Sequence, residues 1–247
     1  MRYQALAVDY DGTIAREGHV DDATRTALRR LKASGRRLLL VTGRELADLA
    51  GVCDDLALFD LLVVENGAVL HDPTARTSVL LCELPPAGFV SELARWGIEG
   101  VAVGQAIVAM PASFAPVVLE VIRDCGLPLH VVFNRTALMV LPAGVHKGTG
   151  LAAALARLGV HPAHAVAIGD AENDQPMLAL CGYGAAVANA VPALKARAQV
   201  VTRGDGGQGV AELIERLIAF DLPDASGRLR RLSNPRRGAQ CRSARAQ

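Results

Sequence analysis

Aromatic residues are scarce in this chain: one tryptophan, three tyrosines and five phenylalanines make up 4% of 247 residues. Apolar residues nevertheless reach 51%, so a core must be assembled mainly from alanine, valine and leucine. The length bounds the answer to one large domain, or a domain with a lobe inserted in it. No Cys-x-x-Cys pair occurs. The five cysteines (Cys53, Cys82, Cys125, Cys181 and Cys241) are widely spaced and odd in number, which suits buried thiols in a reducing compartment rather than a disulfide scaffold. No basic segment followed by an apolar stretch opens the chain, because Asp9 and Asp11 arrive too early for a signal peptide. No run long enough to cross a membrane is free of charge or punctuation. The expectation is a soluble, cytoplasmic protein with no membrane partner.

Charge of one sign is also lacking over most of the length. Seven arginines stand against one acid from Asp224 onward, so the net charge of +1 hides a mildly acidic remainder. That balance argues against a nucleic-acid-binding face. The segment 223–247 lacks apolar periodicity and is predicted to be a disordered, arginine-rich tail. Its arginines could touch an anionic partner; a tail without function is the plainer expectation.

What is present is alternation. "ALAV" at Ala5–Val8 is a short buried strand. The stretch from Asp21 to Gly35 is a helix, with acids early, Lys32 late, and Ala27, Leu28 and Leu31 on one stripe. "RRLLLVTGR" is a second buried strand, "ELADLAGVC" a short helix, and "LLVVENGAVL" a third strand that enters a turn at Asn66-Gly67. Strands apolar on both faces, with helices between them, predict a parallel sheet. From about Ser78 to Pro142 the order becomes strand, helix, strand, helix, strand, strand, ending in a hairpin split by "NRT". We read this as an inserted α+β lobe with hinges near Asp72–Ser78 and Pro142–Val145. The parallel pattern then resumes through "HAVAIGD" to a closing amphipathic helix, "GGQGVAELIERLIAF". The fold class is therefore α/β, a Rossmann-like parallel sheet core (1–76 and 143–222) with an inserted α+β cap (77–142).

Acids cluster where such strands end. Asp9 and Asp11 close the first strand and Asp170 closes a much later one, so a shared carboxyl edge would bring them together. Carboxylates that close repel one another unless a cation lies among them, and Mg²⁺ fits an all-oxygen set. Thr42 and Gly43 end the second strand, where a hydroxyl and backbone N–H groups could hold a phosphoryl oxygen. Lys147 begins a helix, where a cation is disfavoured by the helix dipole unless it neutralises anions nearby. Each feature alone has a plain structural explanation. Their joint order describes phosphoryl transfer: a carboxylate nucleophile, a metal, and donors around the transferred oxygens.

These residues also carry a resemblance. "DYDGT", "TGR", Lys147-Gly148 and "GDAENDQPML" are similar to the four motifs of the haloacid dehalogenase superfamily, in its sugar-phosphatase-like (Cof-type, IIB) branch with a large cap after the third strand. "ENGA" at Glu65–Ala68 is similar to that branch as well. The resemblance covers residues 3 to about 220. It implies that Asp9 is the nucleophile forming an aspartyl-phosphate, and that Asp11 is the general acid and then base, with its backbone carbonyl on Mg²⁺. It implies that Thr42 holds the phosphoryl group, Lys147 neutralises it, Asp170 ligates the metal and Asp174 supports the metal shell. Asn173 would orient the phosphate or Lys147, and Gly12 and Gly43 would allow close backbone approach. Gly43 and Arg44 would line the substrate side. Spacing of two along an extended chain would put Asp9 and Asp11 on opposite faces, so the chain must bend directly after Asp9.

Two departures stand out: Tyr10 where the family more often has an aliphatic residue, and His146 where the branch often has Asp or Asn. The cap, roughly 65 residues by this reading, resembles in size those of relatives acting on phosphoglycolate, mannosylphosphoglycerate or sucrose phosphate. Arg135 in "FNRT" could reach a substrate carboxylate or second phosphate, Asn134 a hydroxyl, and Trp96 a sugar ring or merely a helix end. The expected activity is a Mg²⁺-dependent phosphatase acting on a small sugar or organic-acid phosphate. The alternatives are phosphomannomutase-like transfer and a non-catalytic phospho-ligand-binding protein.

Overall fold

The computed structural model describes residues 1–222, so the predicted tail and Cys241 lie outside the described residues. The chain begins with β1 (Ala5–Val8), a small antiparallel ribbon of β2 (Ala15–Arg16) and β3 (His19–Val20), and α1 (Asp22–Ala33). Asp21 caps α1 by accepting from the Thr24 N–H at 2.6 Å, and Arg30 and Lys32 complement its carboxyl end. Next come β4 (Arg37–Val41), α2 (Leu46–Val52), β5 (Leu61–Val64) and a 3₁₀ turn at Glu65–Gly67, followed by β6 (Val69–Asp72) and β7 (Thr77–Leu80). The lobe holds α3 (Phe89–Arg95), β8 (Ala102–Val103), β9 (Val108–Pro111), α4 (Ala115–Asp124), β10 (Leu129–Asn134) and β11 (Ala137–Pro142). The chain closes with α5 (Lys147–Arg157), β12 (Ala165–Gly169), α6 (Gln175–Leu180), β13 (Tyr183–Ala186), α7 (Pro192–Lys195), β14 (Val200–Val201) and α8 (Gly206–Phe220).

Eight strands form the large sheet in the order β14-β13-β12-β1-β4-β5-β6-β7. The six from β14 to β5 are parallel, in register Ala5↔Ala165 on one side of β1 and Ala5↔Arg37 on the other. The chain runs outward from β1 through β4 and β5, then returns to add β12 on β1's other side, so the topological switch lies at β1. β1, β5, β12 and β13 are buried along their whole length, as strands covered on both faces must be. α1 packs with α8, and α5 packs with α6 and against β4 and β5. Alanines at 5, 7, 165, 167, 185 and 186 supply the close-packed, aromatic-poor centre that the composition required.

Two expectations for the middle of the chain are corrected. The strand predicted as the lobe's first, Thr77–Leu80, pairs antiparallel with β6 and forms the edge of the large sheet. Asp72–Ser78 is consequently a hairpin turn rather than a hinge, fixed by the Asp72 carboxylate accepting from the N–H groups of Thr74 and Ala75. Within the lobe, "GVAVG" contributes only the two residues of β8, while Val108–Pro111 supplies an unpredicted interior strand, paired with both β11 and β8. Its apolar run ends in proline directly before a helix, which concealed it.

The second sheet, ordered β10-β11-β9-β8, alternates its faces with period two. Val108, Met110, Leu138 and Val140 pack with Phe89 and Leu93 of α3 and with α4. Ile107, Met139 and Leu141 face the other way and join the apolar cluster of the large sheet.

Candidate active site

β1, β4, β5 and β12 all end at one edge. Asp9, Thr42, Glu65 and Asp170 each follow directly after one of them. Immediately after Asp9 the chain folds back on itself: the Tyr10 carbonyl accepts from the N–H groups of Thr13, Ile14 and Ala15, and Gly12 takes φ +77°. The required bend is thus a tight loop. It separates the two acids, and no side chain at position 12 would fit, since an added Cβ would collide with the Asp170 carboxylate.

Lys147 is the hub of the site. Its Nζ donates to Asp9 Oδ1 at 2.6 Å and to Asp174 Oδ1 at 2.6 Å, with all three side chains buried. Burial works to lower the Lys147 pKa, but the attraction of Asp174 and Asp9 outweighs it and the ammonium is held charged. His146 caps α5, its Nδ1 accepting from the Thr149 N–H at 3.2 Å while the Thr149 hydroxyl accepts from the His146 N–H. That reciprocal cap starts the helix at Lys147 and aims it inward. Asp174 has a second duty: its Oδ2 accepts from the N–H groups of Asp170 and Ala171, at 2.8 and 2.9 Å, which shapes the turn that presents Asp170.

Asp9, Asp170 and Asp174 each offer a carboxylate oxygen, and these lie within 4.8 Å of one another. Burial, and then the charge of Asp174, hold the Asp9 carboxyl well above its ordinary value of 3.8, against the pull of Lys147. Asp170 is raised for the same two reasons, against the pull of Arg135. The cluster is therefore short of positive charge, and its oxygen-only donors fit a hard divalent cation. Thr13, not singled out from the sequence, donates its hydroxyl to Asp9 Oδ2 at 3.0 Å.

Asp11 stands apart from this cluster. Arg44 Nε donates to its Oδ2 at 2.6 Å and Arg44 Nη2 to its Oδ1 at 2.8 Å, while Arg44 Nη1 holds Asp48. The Thr42 hydroxyl accepts from the Arg44 N–H at 3.1 Å. Asn173, expected to orient the phosphate or Lys147, donates from Nδ2 to Asn66 Oδ1 at 3.0 Å. Its own Oδ1 and the Asn66 Nδ2 are buried without a protein partner, two polar groups left to meet a ligand or water.

The lobe reaches the site from above. Arg135, at φ +52° in the β10–β11 turn, donates from Nε to Asp170 Oδ2 at 3.0 Å and pairs with the same oxygen through Nη2. Its backbone N–H donates to Glu172 Oε2. Met139 comes down on Gly43: a Cβ there would stand 2.6 Å from the Met139 methyl carbon and 3.3 Å from its sulfur. Trp96 ends α3 at the surface, 44% exposed, and Asn134 closes β10 opposite Ala137. Glu65, at the end of β5 with its carboxylate turned into the lobe, and Asn66 and Met139 beside the site were assigned no role from the sequence. "ENGA" flagged the first two as family-like, and nothing flagged Met139.

Comparison with known proteins follows from this geometry. The chain matches the sequence model of the haloacid dehalogenase-like hydrolases over residues 6–88 and 127–214; the stretch between holds α3, β8, β9 and α4. It is 31% identical to a phosphoglycolate phosphatase of Aeropyrum pernix, over 87% of this chain and 93% of that one. Identity to a phosphoglycolate phosphatase of Natronomonas pharaonis is 32%, over 85% and 96%. An HMP-PP phosphatase of Cronobacter sakazakii is 28% identical, over 77% and 86%. Among solved structures, a haloacid dehalogenase-like hydrolase from Bacteroides thetaiotaomicron superposes with a TM-score of 0.73 at 22% identity, covering 87% of this chain and 99% of that one. A sugar phosphatase of haloacid dehalogenase subclass IIB superposes with a TM-score of 0.72 at 18% identity, covering 87% and 98%.

Proposed function

The chain belongs to the haloacid dehalogenase-like hydrolases and is a phosphoric monoester hydrolase of that family; from that premise we propose that it is a cytoplasmic, Mg²⁺-dependent phosphatase of small organic-acid phosphates, working through an aspartyl-phosphate on Asp9. The observation that carries the reading is Lys147, a buried ammonium shared at 2.6 Å between Asp9 and Asp174 beside the metal-competent acids. In this reading the large sheet and its helices, Thr77–Leu80 included, make the catalytic core, and the lobe from α3 to β11 is its cap.

Asp9 and Asp170 would hold Mg²⁺ through carboxylate oxygens, with the Asp11 backbone carbonyl beside them and Asp174 fixing the turn at Asp170. The ion would supply positive charge to the transferring phosphoryl oxygens. Lys147 holds Asp9 Oδ1 and Thr13 holds Oδ2, so the nucleophile cannot rotate. One Asp9 oxygen attacks phosphorus, and the bond from phosphorus to the ester oxygen breaks. Asp11, which must first leave Arg44 and take up a proton, gives that proton to the ester oxygen, and the alcohol leaves. Asp11 then takes a proton from water, whose oxygen attacks phosphorus as the bond to Asp9 breaks, releasing phosphate. Thr42, the Gly43 amide, Lys147 and Asn173 would hold the phosphoryl oxygens.

The apolar Met139 roof and the Arg135 guanidinium favour an acid over a sugar. A polyol under a thioether leaves hydroxyls unpaired, whereas a substrate carboxylate would take Arg135 in exchange for its pairing with Asp170. The relatives named phosphoglycolate phosphatases support the same class. The test is phosphate release from 2-phosphoglycolate, phosphoglycerates and hexose phosphates, with Mg²⁺, with chelator, and with Asp9→Asn. Metal-dependent release that is greatest for the acid phosphates and lost in the variant is the expected result. A folded protein that isomerises sugar phosphates, or binds them without release, would overturn it.

A further inference from the structure

Glu65, Asn66 and Gly67 have φ of 49°, 54° and 113°, three left-handed residues in a row of which two bear side chains. Such a run persists only where its surroundings enforce it. Its first effect is on the catalytic turn: the Glu65 N–H donates to the Arg44 carbonyl and the Asn66 N–H to the Thr42 carbonyl, both at 2.9 Å. Its second effect is to direct the Glu65 carboxylate away from that turn and into the cap.

There Glu65 is 2% exposed and its carboxylate accepts three successive backbone N–H groups: Gln105 at 3.0 Å on Oε1, Ala106 at 2.8 Å and Ile107 at 3.1 Å on Oε2. Backbone amides, rather than a cation, take up its charge. The cap side is shaped to match. A Cβ on Gly104 would stand 2.8 Å from the Glu65 carboxyl carbon, so this residue must be small for the loop to close on the acid. Ala106 and Ile107 are themselves buried in the core's apolar cluster.

The contact lies one residue before β9. β9 sets β11 through the register Ala109↔Met139, and the β10–β11 turn carries Arg135. We propose that Glu65 is a positioning residue that seats the cap on the core, its carboxylate and the 105–107 amides forming the anchor that places Met139 over Gly43 and Arg135 over the acids. Glu65 touches neither the phosphoryl site nor the metal acids. The proposal deepens the phosphatase reading and depends on it only for its kinetic consequence.

Amide hydrogen exchange tests the anchor without any substrate. In Glu65→Ala the three N–H groups lose their acceptor, and exchange at residues 105–107 should rise at least about tenfold while β1 and β12 stay protected. KM for 2-phosphoglycolate should rise about tenfold or more, because the cap contacts are misplaced. kcat/KM for p-nitrophenyl phosphate, whose activated leaving group needs no cap contact, should stay within about threefold. Gly104→Ala attacks the same anchor from the cap side, leaves the Thr42 turn alone, and should reproduce the pattern even if Glu65→Ala fails to fold. Unchanged exchange at 105–107, or an equal loss on both substrates, would overturn the proposal. A wild-type protein that hydrolyses neither compound would instead overturn the phosphatase reading, with the exchange result still deciding the anchor.

Discussion

Arg44 grips both oxygens of Asp11, at 2.6 and 2.8 Å, and so holds that carboxylate outside the buried cluster that contains Asp9. Two acids two residues apart thereby acquire different tasks: Asp9 is fixed against Lys147, and Asp11 is presented on a half-exposed arm. If Asp11 is the acid and base proposed above, Arg44 holds its ionised form ready for the water step, and Arg44→Ala should lower kcat by about a hundredfold through lost orientation of that base, with little change in Tm because the pair is partly solvated. Arg44→Lys should not restore the rate, since an ammonium cannot make the two-pronged contact. Steady-state kinetics beside thermal melts check both variants; full activity in Arg44→Ala would refute the assignment.

Lys147→Met keeps the volume of the side chain and removes the charge between two buried acids. The loss of a buried ion-pair partner should cost about 3–5 kcal/mol of stability, and phosphate release should fall by at least about a thousandfold. Lys147 is one of the influences lowering the Asp9 pKa, so its removal raises that pKa further. A carboxyl whose native pKa lies above its unfolded one contributes stability at low pH and loses it as pH rises through the native value. The variant's deficit should therefore be smallest near pH 4–5 and grow toward neutrality. Chemical denaturation across that range is the measurement, and a pH-independent deficit would count against it.

The same sign governs the wild type without metal. Asp9 and Asp170 both titrate above the ordinary aspartate value of 3.8, so their contribution to stability declines as pH rises from that value through their native ones. A divalent cation competes with those protons. The gain in Tm on adding Mg²⁺ should then be small near pH 4.5 and increase toward pH 8, and Asp9→Asn should flatten the dependence. Melts in Mg²⁺ and in chelator at several pH values test it.

Much of this was legible because the site sits at strand ends, where an apolar run stops at a polar residue. "ALAV" into Asp9, "LLLV" into Thr42 and "VAIG" into Asp170 mark the carboxyl edge by composition alone. Lys147 was legible as a cation against a helix dipole. The partner of Asn173 was not, because Asn66 lies 107 positions away on a different strand end. Nor was the edge strand Thr77–Leu80, whose residues are all exposed and carry no core-facing stripe to tie them to either sheet. Met139 was hidden for another reason: on a strand buried on both faces, an apolar residue over the site looks like one facing the helices.

That contact between Met139 and Gly43 yields the sharpest prediction. A methyl at position 43 would stand 2.6 Å from the Met139 methyl carbon, so Gly43→Ala must displace the roof, and activity on a small acid phosphate should fall about tenfold. Met139→Ala opens the space beneath the cap and should improve kcat/KM for larger phosphomonoesters relative to 2-phosphoglycolate. The clash involves the end of a flexible side chain rather than backbone, so the double variant should recover much of the loss seen in Gly43→Ala. Expressed as a cycle in kcat/KM, the coupling should be about 1–2 kcal/mol. Additive effects would mean that the two residues act separately, and that Met139 does not bear on the phosphoryl site at all.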